Sequence, residues 1–152
     1  MQKFLIFVSE QWLLITMLCA AVAGLAWLEN RRAGKSLTPH ALTTLINRDN
    51  AVVIDLRDKA EFEGGHIVDA INVPFNSWQS QMSAGGKTDI DNVLNKDDNK
   101  PLVLVCKIGQ QSSHVAKRIT AQRGPATESA PVYRLSGGLM EWQAAQMPLV
   151  KG

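Results

Sequence analysis

"LVLVCKIGQQSSHVAKRI", Leu102 to Ile119, carries the decision about the fold. Four apolar residues lead to Cys106, then Lys107, Ile108 and Gly109 precede a polar, helix-like stretch. An unbroken apolar run of this kind predicts a strand buried on both faces, as in parallel sheets. A short turn leading straight into a helix places Cys106 at the carboxyl end of that strand, the edge where open α/β sheets bind ligands. The spacing predicts a helix beginning near Ser112 and stopping at Gly124. Backbone N–H groups at such a turn, with the positive helix end, form an anion nest that favours a thiolate. Gly109 supplies the backbone freedom of the turn, Lys107 a nearby cation, and Ser112 and Ser113 candidate caps. From these residues alone two readings stand: Cys106 is a nucleophile, or it is a buried structural thiol closing a strand.

Working outward, "AVVIDLRD" (Ala51–Asp58) is a second buried strand, "DAINVPF" a short one ended by Pro74, and "VYRL" another. "SLTPHALTTLIN" reads as a short strand, then a helix capped by Thr38 with Pro39 at its first position. "KAEFEGGHI" starts helical and is broken by Gly64 and Gly65, and "LMEWQAAQ" is amphipathic. Residues 76–100 are polar, with a short helix expected only around Ile90–Leu94. Strands alternating with helices predict an α/β domain with a largely parallel sheet.

The 152 residues suffice for one domain with a core and an accessory segment. A net charge of +2 from 16 basic and 14 acidic residues, with no basic stripe, argues against nucleic-acid binding. Cys19 and Cys106 form neither a CxxC pair nor a disulfide framework, which fits a reducing compartment. Cys106 and the histidines lack zinc-ligand spacing, so no metal is expected.

"WLLITMLCAAVAGLAWL" (Trp12–Leu28) holds 17 residues without a charge, bracketed by Trp12 and Trp27. As a helix it spans roughly 25 Å against a hydrocarbon core of roughly 30 Å. A cleaved signal peptide fits less well, because the apolar run passes beyond the small residues of "AVAGLA". The sequence therefore predicts an N-terminal transmembrane anchor over 1–30, with the span at 12–28. A linker over 31–38 and a domain over 39–152 would follow. Arg31, Arg32 and Lys35 put the domain on the cytoplasmic side of a bacterial inner membrane, with the N-terminus periplasmic.

Three stretches resemble the signatures of one family. "DLRDKAEFEGGHIVDAINVPF" is similar to the amino-terminal signature of rhodanese domains, "CKIGQQSS" to their active-site loop, and "YRLSGGLMEWQAAQMPLV" to their carboxy-terminal signature. The order of the three, with one anchor, resembles small membrane-anchored rhodanese-like proteins of Gram-negative bacteria. The resemblance implies an α/β fold with a central parallel five-stranded sheet flanked by helices. It implies a sulfurtransferase in which Cys106 takes sulfane sulfur from a small donor, such as thiosulfate or a persulfide. Cys106 would then hand the outer sulfur to a thiol or protein acceptor, through a covalent persulfide and without a cofactor. Lys107, Ile108, Gly109, Gln110, Gln111 and Ser112 would form the substrate cradle, with Asp55 and Arg57 in support. His66 and His114 are read as structural and exposed, respectively. Gln111 stands where many family members carry arginine, which removes a bidentate anion clamp. Two alternatives follow: a catalytically weak docking module for membrane-associated partners, or a cysteine phosphatase. The phosphatase needs Cys-x5-Arg, whereas position 112 is Ser.

Overall fold

The apolar run Leu102–Val105 forms the central strand of the sheet, and all four of its residues are buried. The computed structural model describes residues 11–32, 34–96, 99–123 and 130–152. The described elements, in chain order, begin with α1 (Trp12–Arg32), β1 (Lys35–Leu37), α2 (Pro39–Asp49), β2 (Val52–Asp55) and α3 (Lys59–Gly64). They continue with β3 (Ile71–Asn72), α4 (Phe75–Ser83), α5 (Asp89–Lys96), β4 (Leu102–Val105), α6 (Gln110–Arg123), β5 (Val132–Leu135) and α7 (Gly138–Ala144). The five strands pair in parallel in the order β1-β5-β4-β2-β3.

Side chains alternate across the pleat, so each strand feeds two cores. On one face Ile54, Leu102, Leu104 and Cys106 pack with Trp78, Ile90, Val115 and Ile119 from α4, α5 and α6. On the other, Val53, Val103, Val105 and Leu135 meet Leu42 of α2 and Leu139 and Trp142 of α7. The start of α2 matches the sequence reading: Thr38 Oγ1 accepts from Ala41 N at 3.3 Å, with Pro39 at the first helical position.

Three expectations are corrected. Residues 75–83 form α4, in a stretch read as polar loop; Trp78 is buried beneath it, and Phe75 and Met82 pack against the same core. These residues recur at helical spacing, so the signal existed but was diluted by glutamines and serines. The helix after Cys106 starts at Gln110 rather than near Ser112, because the turn needs only Lys107–Gly109. The glycine stop expected at Gly124 lies outside the described residues.

The third correction concerns the amino-terminal segment. The chain divides into two units, residues 1–32 and 33–152. Within the first, α1 is a 21-residue helix that exposes most of its described apolar side chains, Trp12, Leu13, Leu14, Met17, Leu18, Val22 and Leu25 among them, with Ile15 half-buried. Among the described residues no helix is long and apolar enough to cross a membrane, so the expected transmembrane anchor over 12–28 is not supported. The uncharged run covers only about 25 Å against a hydrocarbon core of roughly 30 Å.

Candidate active site

A strand, a three-residue turn and a helix bring Cys106 to the floor of a cleft at the carboxyl edge of the sheet. The thiol is only 1% exposed. The N–H of Gly109 donates to its Sγ at 3.1 Å, and the N–H of Ser112 at 3.4 Å. Both groups belong to the turn and first turn of α6, where a helix leaves N–H groups without intrahelical partners. Ser112 Oγ lies 3.6 Å from Sγ and donates to the Gly109 carbonyl at 3.0 Å. Gly109 reaches this geometry at φ +92°, in the region that favours glycine.

A second turn holds the cysteine loop from behind. Leu139 N donates to the Cys106 carbonyl at 2.8 Å, and Met140 N to the Lys107 carbonyl at 3.1 Å. Gly138, at φ +63°, makes that approach: a Cβ there would strike the Cys106 carbonyl oxygen and lie 2.6 Å from the Lys107 carbonyl carbon and oxygen. The Gly137-Gly138 pair is thus the buttress of the cysteine loop. Its sequence signal was visible, whereas its role in holding Cys106 was not.

The cleft has a volume of about 320 Å³ and is lined by Leu56, Arg57, Asp58, Glu61, Asn76 and residues of the cysteine loop. Of the expected cradle, Lys107, Ile108, Gln110 and Gln111 line it; Gly109 and Ser112 act beneath it, on Sγ. Asp55 lies under the wall rather than in the cleft. Its carboxylate accepts from Arg57 N and Nε, each at 3.0 Å, and from Nη2 at 2.6 Å. Arg57 also donates to the carbonyls of Glu61 at 3.1 Å and Gly65 at 2.8 Å. The pair therefore ties the end of β2 to α3 and to the turn after it.

His66 stands away from this cleft: its Nδ1 is 2.9 Å from the Phe62 carbonyl oxygen and its ring stacks on Phe62. His114 is exposed on α6, edge-on to Phe75 and Trp78. Sequence reasoning missed Glu61, Asp58 and Asn76. Glu61 meets the loop through Lys107, with Nζ to Oε1 at 3.0 Å, across 46 residues of sequence. No local pattern announces such a contact.

Fold and site together define an α/β protein with a single buried cysteine cradled by backbone N–H groups at the mouth of a helix. The sequence profile of the rhodanese-like domain matches residues 38–145, and the chain belongs to that family. It is 31% identical over 118 residues to the uncharacterized protein YibN of Escherichia coli (strain K12), covering 78% of this chain and 73% of that one. It is 29% identical over 99 residues to the thiosulfate sulfurtransferase GlpE of Pseudomonas savastanoi pv. phaseolicola, covering 65% of this chain and 78% of that one. A rhodanese-related protein from Thermoplasma volcanium shares the fold, with TM-score 0.54 and 21% identity, over 78% of this chain and 99% of that one.

Proposed function

We infer that the protein is a sulfurtransferase carrying sulfane sulfur as a Cys106 persulfide. The observation that carries this reading is a buried Sγ receiving two backbone N–H donors at the floor of an open cleft. The Cys106 thiolate attacks the outer sulfur of a donor; a new S–S bond forms, and the donor's own bond to that sulfur breaks. The electron pair leaves with the remainder, sulfite from thiosulfate or a thiolate from an organic persulfide. An acceptor thiolate then attacks the outer sulfur of Cys106–S–S⁻, and the Cys106 thiolate departs to begin again. Both states of the cysteine are anionic, so donors fixed in the backbone stabilise each without rearrangement.

The relatives named thiosulfate sulfurtransferases support the reaction class. The test is mass spectrometry of the full chain after treatment with a sulfane-sulfur donor. The expected result is one added sulfur atom on the peptide bearing Cys106 and none in Cys106→Ser. Sulfur uptake that persists in Cys106→Ser overturns the reading.

A further inference from the structure

A parallel strand covered on both faces reads as apolar throughout, and β5 breaks that pattern at Arg134. Arg134 stands in register with Leu104 of β4 and Ser36 of β1. Partners in register point to the same side of the sheet, so all three share the face on which Leu104 packs with Val115 and Ile119 of α6. The fold gives this guanidinium no partner there. Its Nε is buried without a hydrogen bond, and Arg134 enters none of the ion pairs among the described residues. A buried charged donor left in that state is costly, and it calls for an acceptor from outside the chain.

Arg134 is half-buried and lines a groove of about 440 Å³, so a ligand in the groove can reach it. The groove shares Ile108 and Gln110 with the Cys106 cleft and is otherwise separate from it. Its other polar walls are the hydroxyls of Ser36, Ser113 and Ser136 and the amide of Gln110, all able to donate. Gln110 and Ser113 belong to the first turn of α6, a 14-residue helix whose positive end favours an anion. Among the described residues no carboxylate lines the groove, and Glu141, beside Gly137, forms no ion pair with Arg134. One guanidinium fork satisfies the two oxygens of a carboxylate. Hydroxyls brought together from β1, α6 and the turn after β5 match an anion with more oxygens, and a phosphate group supplies three with up to two charges.

We propose that this groove is a phosphate-binding site, with Arg134 as its charged anchor and Ser36, Ser113 and Ser136 as hydroxyl donors. The site stands apart from Cys106 and does not depend on that cysteine carrying sulfur. Its volume lies within the roughly 300–1,000 Å³ of small-molecule sites, so it admits a phosphomonoester as well as the free ion.

The experiment titrates the isotope-labelled full chain with inorganic phosphate, n-propyl phosphate and acetate at matched ionic strength. Backbone amide and arginine Nε–H resonances report where each anion sits. Expected are saturable shifts at Arg134 Nε–H and at the amides of Ser36, Ser113 and Ser136 with the phosphates, and far weaker binding of acetate. The tighter of the two phosphates tells the free ion from the ester as the source. Arg134→Met keeps an unbranched stem and removes the charge; it should weaken phosphate binding at least about tenfold. Ser113→Ala should weaken it about threefold. Phosphate should also raise the melting temperature of wild type and not that of Arg134→Met. Shifts centred on Lys107 and Gln111, which line only the Cys106 cleft, overturn the proposal. So do the absence of saturation, unchanged affinity in both variants, or acetate binding as tightly as phosphate. If Arg134→Met does not fold, Ser113→Ala and the wild-type Arg134 Nε–H resonance decide the matter.

Discussion

At Cys106 the sulfur is met by main-chain donors more than by side chains. The two N–H donors to Sγ come from Gly109 and Ser112 and survive most substitutions. Ser112→Ala removes a hydroxyl that bonds the Gly109 carbonyl, which also accepts from Ser113 N at 3.2 Å and so keeps a partner. The expected cost is roughly 1 kcal/mol of stability, with persulfide formation slowed by less than about tenfold. Urea denaturation and mass spectrometry of timed sulfur uptake check the two halves. Asp55 behaves differently. It is buried at 1% exposure and is the carboxylate partner of a buried Arg57. Asp55→Ala strands that guanidinium, at a cost of about 3–5 kcal/mol, which is measured as a lowered urea midpoint.

The elements show how the loop is held from two sides. α6 supplies the front of the cradle, and the turn before α7 supports its back through the Cys106 and Lys107 carbonyls. Gly138→Ala forces a left-handed residue with a Cβ into that contact, costing roughly 2–5 kcal/mol. The variant should lose sulfur uptake even at temperatures where circular dichroism still reports a folded domain. Uptake equal to wild type would show that the cradle forms without its buttress. On the α4 side, Trp78→Ala empties a large core position beneath β2 and β4. It should cost about 3–5 kcal/mol in urea denaturation while Cys106, on a separate loop, still reacts in the folded fraction.

Across the molecule, both hydrophobic clusters and all strands among the described residues lie within residues 33–152. Deleting residues 1–32 should therefore leave the unfolding midpoint of the domain within about 0.5 kcal/mol of the full chain, as thermal melts would show. A large loss would mean that the amino-terminal helix supports the domain. The central strand, the α2 cap, the turn at Gly109 and the place of Cys106 at the sheet edge were legible in the sequence, because each depends on neighbours in the chain. Apolar runs report burial, Thr38-Pro39 reports a helix start, and a cysteine after "LVLV" reports the sheet edge. α4 was missed because Phe75, Trp78 and Met82, though at helical spacing, are diluted by glutamines and serines. The expected anchor finds no support among the described residues, where the uncharged run is shorter than a hydrocarbon core. The sequence by itself determined where the Cys106 sulfur stands and which backbone groups can face it, since strand, turn and helix are consecutive. Only the tertiary structure decided what surrounds that sulfur. Gly138 presses on its loop from a turn 32 residues downstream, and Glu61 neutralises Lys107 from a helix on another strand's connection. Contacts between segments distant in the chain are set by how the sheet brings its carboxyl edges together, and no local pattern of residues encodes them.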